Sequence, residues 1–234
     1  MIYDIIFIIM ESRYERNIPS ITEAEQEILK NKKVAILGCG GLGGFLCEFC
    51  ARLGIGSITV CDGDVFEESN LNRQLLSSEG NMGTLKVEAA KAYIECTNPA
   101  CEVEMVCQPF SAENASFLKG CDVILDALDS APARMLLEEA AEESSIPLVH
   151  GAVNGWGGQV TLVLPGKRTL HRIYENAALP GNKTVLPFTA AACSCLEMSL
   201  ALKVLLGKNE PEDEDLLIFD LLSGQFEKII MEDQ

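Results

Sequence analysis

The sequence has little positive charge and very little histidine. Eighteen Lys and Arg stand against 35 Asp and Glu in 234 residues, a formal net charge of −17. That balance argues against general attraction to nucleic acid or to an anionic membrane surface. The only histidines are His150 and His171. His150 falls at a strand end and reads as a hydrogen-bonded core residue, and His171 falls in a loop and reads as exposed. No stretch looks like a linker long enough to demand two domains. Residues 1–10 are apolar but carry Asp4, lack a basic leader and are far too few to span a bilayer. Two readings of them stay open: an extra strand or arm, or translation that begins at Met10. The ten cysteines are scattered rather than spaced as a disulfide framework, which suggests reduced thiols and a cytoplasmic protein.

Hydrophobic residues make up 48% and charged residues 23%, enough apolar matter for a real core. Residues 33–86 organise the rest. The apolar run 34–37 reads as a strand. It turns through Gly38, Gly40, Gly41 and Gly43 and enters a helical pattern marked by Phe45, Phe49 and Leu53. Gly38, Gly40 and Gly43 have the G-x-G-x-x-G spacing, in which missing side chains permit a tight turn and let phosphate approach the amides of a helix N-terminus. A second strand, 57–61, ends at Asp62, where a ribose hydroxyl would need an acceptor. Asp64 follows, as a second nucleotide contact or a turn former.

Beyond the nucleotide loop come Ser69, Asn70, Leu71, Asn72, Arg73 and Gln74, and then Gly83 three residues before Lys86. A nicotinamide enzyme needs neutral surroundings for hydride transfer at this end of its cofactor, whereas a reaction at a triphosphate needs fixed positive charge. The order of these residues points to ATP. At this point the chain resembles the ThiF/MoeB/HesA family, the bacterial relatives of ubiquitin-activating enzymes. The G-x-G-G-L-G loop, the Asp62-x-Asp64 pair, the S-N-L-N-R-Q run and the G-x-x-K step stand in that family's order.

The resemblance implies ATP-dependent adenylation of the C-terminal carboxylate of a small β-grasp sulfur carrier ending in Gly-Gly, with release of pyrophosphate. It implies that Arg73 and Lys86 hold the phosphates, that Asn70 orients them, that Asp129 binds Mg²⁺, and that Arg16 reaches the nucleotide of the partner subunit in a homodimer. Without the resemblance, Arg16 reads as a solvent-facing charge in an arm, and Asp129 as an N-cap of the next helix. The step from Asp126 to Asp129 matches the family's magnesium segment, although Leu128 and Ser130 replace its threonine and asparagine. Relatives with structural zinc carry two C-x-x-C pairs, and a closed site needs four ligands. This chain has one pair, Cys47 and Cys50, on an apolar helical pattern, so no zinc is expected. Nor is there a relay cysteine between residues 165 and 189; Cys193 and Cys195 follow on a helix that reads as core, where thiols are buried and inert.

Along the remaining chain, residues 1–32 read as an arm and a helix, with Ser20 or Thr22 as its N-cap. Residues 33–234 read as one adenylation domain, with 165–187 as its crossover loop. A helix runs from Lys86 to Asn98, and strands are predicted at 103–107, 121–126, 147–151 and 160–164. Shorter helices fall at 112–119 and 135–143, and a longer one at 189–206. Residues 210–215 are a solvated acidic run, and 216–221 and 225–231 form a terminal hairpin. The fold class is α/β, a Rossmann-like, mostly parallel twisted sheet with helices on both faces and an antiparallel C-terminal hairpin.

Three other functions remain open. The chain could activate a small-molecule or tRNA-borne carboxylate, as threonylcarbamoyladenosine dehydratases do. It could hold a carrier without activating it. In a nicotinamide-dependent dehydrogenase, Arg73 and Lys86 would be incidental.

Overall fold

The computed structural model describes residues 11–175 and 184–231. The chain enters through a 3₁₀ turn, Ser12–Asn17, and a short helix α1 (Glu23–Leu29). Thr22 accepts from the Glu25 amide at 3.2 Å, and the Glu25 carboxylate accepts from the Thr22 amide at 2.7 Å. Thr22 is therefore the N-cap, and the reciprocal pair sets where α1 begins.

The body alternates strands and helices: β1 (Lys33–Leu37), α2 (Gly43–Leu53), β2 (Ser57–Cys61), α3 (Lys86–Thr97), β3 (Glu102–Val106), β4 (Val123–Asp126), α4 (Ala131–Ser144) and β5 (Leu148–Asn154). A second part adds β6 (Gly157–Val163), α5 (Thr169–Tyr174), α6 (Pro187–Leu205), β7 (Leu216–Asp220) and β8 (Gln225–Ile229). The sheet has eight strands in the order β3-β2-β1-β4-β5-β6-β7-β8, parallel from β3 through β5 and antiparallel from there on. This is the α/β architecture expected from the sequence. Two details differ. The antiparallel part begins at β6, which pairs with β5 along its whole length from Gly157, and α5 lies inside the stretch expected to be loop. Residues 176–183 of that stretch, and residues 1–10, lie outside the described residues.

β1 and β4 are buried almost throughout because both faces of the sheet are covered. Val34, Ile36 and Leu125 pack with α2, α3 and α6, while Ala35, Leu37 and Ile124 pack with α4 and α5. Cys47 and Cys50 sit in the first of these cores, with Cys50 Sγ 3.8 Å from Met198 Sδ, so the pair packs as hydrocarbon neighbours do. The 19-residue α6 has a mean hydropathy of 1.5, enough by length and composition to cross a membrane. It lies instead against β5, β6 and α2, as the core helix of a folded domain. In the acidic run, Asp213 is buried and receives the Lys203 ammonium at 2.6 Å, so the run is not wholly solvated.

Register positions the site. Leu37 is level with Cys61 on one side and with Asp126 on the other. The glycine turn after β1, the acidic loop after β2 and the loop after β4 therefore leave the sheet at one edge. The strand order reverses between β1 and β4, and the carboxyl ends of strands at such a point open a crevice.

Candidate nucleotide and adenylation site

Two glycines are required by the backbone at that edge. Gly38 has φ +96°, and a Cβ there would lie 2.6 Å from the Ala127 carbonyl oxygen. At Gly43 a Cβ would lie 1.8 Å from the Gly38 carbonyl oxygen. The first permits the turn, and the second lets α2 start directly against it. The Asp62 carboxylate fastens the turn to β2, accepting from the Cys39 amide at 2.7 Å and from the Asp64 amide at 2.8 Å. Beside this turn lies a cavity of about 790 Å³, within the range of about 300–1,000 Å³ usual for ligand sites. Gly38, Gly40, Gly41, Asp62 and Asp64 line it, and Gly43 does not.

The cations converge on the same space. Arg73 and Lys86 both line the cavity. Arg73 is held by its Nη1, which donates to the Ser69 carbonyl at 2.8 Å and to Asn72 Oδ1 at 2.9 Å. Lys86 opens α3 with only 8% of its side chain exposed, and its Nζ donates to Asp64 Oδ2 at 2.9 Å. Asn70 does not line the cavity. It is buried, and its Oδ1 accepts from the Glu67 amide at 3.1 Å, closing the 3₁₀ turn Glu68–Asn70. The asparagine of this run that lines the cavity is Asn72, which also donates to the Val185 carbonyl at 3.1 Å, while Asn70, expected to orient phosphates, lies in the turn.

Arg16 is exposed and does not line this cavity in its own chain. Its segment is anchored by Tyr14, whose hydroxyl accepts from Asn98 Nδ2 at 3.0 Å, while the same nitrogen donates to the Ala51 carbonyl at 3.1 Å. Ala51 is near the C-terminal end of α2, and the cavity is at the other end. Ala51 is eight residues along α2 from Gly43, a rise of about 12 Å.

Asp129 follows β4, is exposed and lines the cavity. The N-cap of α4 is Ser130, whose hydroxyl accepts from the Ala133 amide at 3.4 Å, so the capping role belongs to the neighbour of Asp129. Among the described residues no group of three or more His, Cys, Asp or Glu could hold a metal ion. Asp129 shares the cavity wall with Asp62 and Asp64; one or two protein carboxylates suffice for Mg²⁺ carried on phosphates, because that ion keeps waters.

Residues 14–234 match the ThiF family. This chain belongs to the ThiF family. It is 33% identical over 226 residues to the SAMP-activating enzyme E1 of Haloferax volcanii, covering 93% of this chain and 84% of that protein. It is 32% identical over 234 residues to the sulfur carrier protein adenylyltransferase of Thermus thermophilus, covering 93% and 86%. It spans half the length of the Drosophila yakuba adenylyltransferase and sulfurtransferase MOCS3, at 34% identity over 228 residues. A crystal structure of E. coli MccB with MccA-N7isoASN superposes with a TM-score of 0.82 over 96% of this chain and 73% of that one; at 20% identity the likeness is one of fold. The chain is an enzyme of the adenylyltransferase type.

The ThiF-family chain also has cavity residues that sequence reasoning passed over. Gln74, in the S-N-L-N-R-Q run, is buried at the cavity wall, its Oε1 without a partner among the described residues. Arg134 of α4 is buried, lines the cavity and donates from Nη2 to the Leu128 carbonyl at 2.7 Å. Its signal was weak, because an arginine in an ordinary helical pattern reads as surface. His150 is the buried, hydrogen-bonded core residue expected. His171 is not exposed: its ring lies against Glu138 and Glu139 with 15% of the side chain accessible, because Glu138 also accepts the Leu170 and His171 amides at 2.6 and 3.0 Å. Cys193 is buried, and burial pushes its thiol well up, but Cys195 faces solvent and departs from the core reading.

Proposed function

We propose that this ThiF-family chain adenylates the C-terminal carboxylate of a small β-grasp sulfur carrier ending in Gly-Gly, with ATP as co-substrate. The observation that carries the reading is the convergence of Arg73, Lys86 and Asp129 with the glycine turn on one cavity. The name of the Thermus thermophilus relative supports the carrier as substrate.

The chemistry suits these side chains. A carrier α-carboxyl, with a reference pKa of about 3.3 to 3.7, is already ionised at neutral pH and needs no general base. The barrier lies in bringing two anions together and in the charge of departing pyrophosphate. The glycine turn seats phosphate against the amides that open α2, and Asp62 offers an acceptor to the ribose. Arg73 and Lys86 place fixed positive charge along the polyphosphate. Asp129 would hold Mg²⁺, which supplies further neutralisation of phosphate charge when bound. Arg16 serves the cavity of the other subunit of a homodimer, a reading supported by its place outside the lining of its own cavity.

Carrier-dependent exchange of labelled pyrophosphate into ATP tests the proposal. Exchange is expected with a cognate Gly-Gly carrier and not with the carrier shortened by its last residue. Arg73→Ala abolishes exchange and leaves carrier binding intact. Absence of exchange with every Gly-Gly carrier, alongside turnover of some other carboxylate, would replace the substrate.

A further inference from the structure

Behind the cavity, four side chains from four elements close into a ring. Asp126 ends β4, His150 lies on β5, Arg134 on α4 and Tyr174 at the end of α5. His150 Nδ1 is 2.7 Å from Asp126 Oδ2, His150 Nε2 is 2.9 Å from the Tyr174 hydroxyl, and Arg134 Nη1 donates to that hydroxyl at 3.0 Å. Arg134 Nε completes the circuit, 3.7 Å from Asp126 Oδ2, an ion pair without a hydrogen bond. Gln159 Nε2 also donates to the Tyr174 hydroxyl, at 2.9 Å. With two donors aimed at that oxygen, its single proton is directed to His150 Nε2, and the Nδ1 proton of His150 goes to Asp126.

The ring grips both backbone polar groups of one residue, Leu128. Asp126 Oδ1 accepts from the Leu128 amide at 3.0 Å, and Arg134 Nη2 donates to the Leu128 carbonyl at 2.7 Å. The Leu128 carbonyl belongs to the peptide unit that leads into Asp129. Both polar groups of the residue before Asp129 are thus held by partners that are themselves paired and buried. Asp126 and His150 are inaccessible, and Arg134 is 8% exposed. A buried ion pair of this kind contributes little net stability, because desolvation offsets the attraction. What it supplies is a single arrangement.

We propose that Arg134 and Tyr174 are positioning residues for Asp129, acting with the Asp126–His150 pair to hold the backbone of Leu128 so that the Asp129 carboxylate meets metal-bound nucleotide. This rests on the reading that Asp129 serves Mg²⁺. Loss of an outer partner of a metal ligand typically costs about 10- to 100-fold in metal affinity or activity.

The test measures ATP binding by titration calorimetry, with Mg²⁺ and with EDTA, for wild type, Asp129→Asn, Tyr174→Phe and Arg134→Lys. Tyr174→Phe keeps the ring volume and covers the case in which Arg134→Lys fails to fold. The expected result is about 10-fold weaker binding of ATP with Mg²⁺ in all three variants, and less than a 2-fold change in EDTA. Equal weakening in both conditions for Tyr174→Phe, or none in either, overturns the proposal while Asp129→Asn still reports on the metal. If Asp129→Asn itself keeps the full magnesium effect, the metal reading fails and the positioning role falls with it.

Discussion

Lys86 Nζ lies 2.9 Å from Asp64 Oδ2, with the lysine side chain 8% exposed and the aspartate 72% exposed. The pair stands at the rim of the cavity, one partner sheltered and the other in water. Such a pair contributes only about 0–1 kcal/mol, so the value of Lys86 lies in the charge it presents to phosphate. Lys86→Met is expected to lower kcat/KM for pyrophosphate exchange by about 10²- to 10³-fold. Asp64→Asn should shift the melting temperature by no more than about 2–4 °C and leave ATP affinity within 2-fold. Weakened ATP binding in that variant would make Asp64 a nucleotide contact rather than a former of the turn.

The glycines separate folding from binding. Gly38→Ala forces a left-handed φ of +96° and a clash with the Ala127 carbonyl, and is expected to cost about 1–3 kcal/mol or more in unfolding free energy. Among the described residues a Cβ at Gly40 would meet only the Gln74 side chain, its Nε2 at 3.5 Å, on the cavity wall. Gly40→Ala should therefore keep its melting temperature and lose ATP affinity. Thermal unfolding beside ATP titration checks both variants.

Two buried groups set opposite slopes of stability against pH. Burial holds the His150 imidazole below its ordinary value, against the opposing pull of Asp126 and Glu138 and with help from Arg134; the Tyr174 phenol, itself raised to about 12 by burial, stays neutral beside it. The unfolded chain therefore binds the extra proton first, and stability falls as pH drops below the unfolded value near 6.5. Glu197 is buried without a hydrogen-bond partner among the described residues, and desolvation raises it well above 4.5, with Asp126 adding to the rise. Here the folded chain keeps the proton, so stability declines as pH rises above about 4.5 toward the folded value. His150→Gln should flatten the acid limb of the unfolding profile, and Glu197→Gln the limb above pH 5. A variant whose slope matches wild type would refute the corresponding assignment.

Thiol labelling gives a third check. Of the ten cysteines, Cys96, Cys107 and Cys195 are exposed. Partial burial raises the Cys195 thiol, which slows its reaction with iodoacetamide, since thiolate is the reacting form. Mass spectrometry of the native protein should find three early adducts, with the other seven appearing on denaturation.

Much of this was legible in the chain. The strands ending at Leu37 and Cys61, the helix that opens at Gly43 and the one that starts at Lys86 were each read close to their observed bounds. Their signals are local: alternation, apolar spacing, and glycines where only glycine fits. Asn70 and Asn72 were harder, being two positions apart in one polar run. One closes a turn and the other faces the cavity, a difference set by the direction of the 3₁₀ turn. α5 was missed because its six residues owe their place to the Glu138 carboxylate, which lies 31 residues before Thr169.

The sequence by itself determined the order of glycines, acids and cations after β1, and with it the family and reaction class, because spacing between near neighbours survives any packing. Only the tertiary structure decided that the ends of β1, β2 and β4 lie level, so that loops distant in the chain share one cavity. It alone joined Asp126, Arg134, His150 and Tyr174, because a buried polar ring exists only where sheet register and helix packing remove water from all four at once.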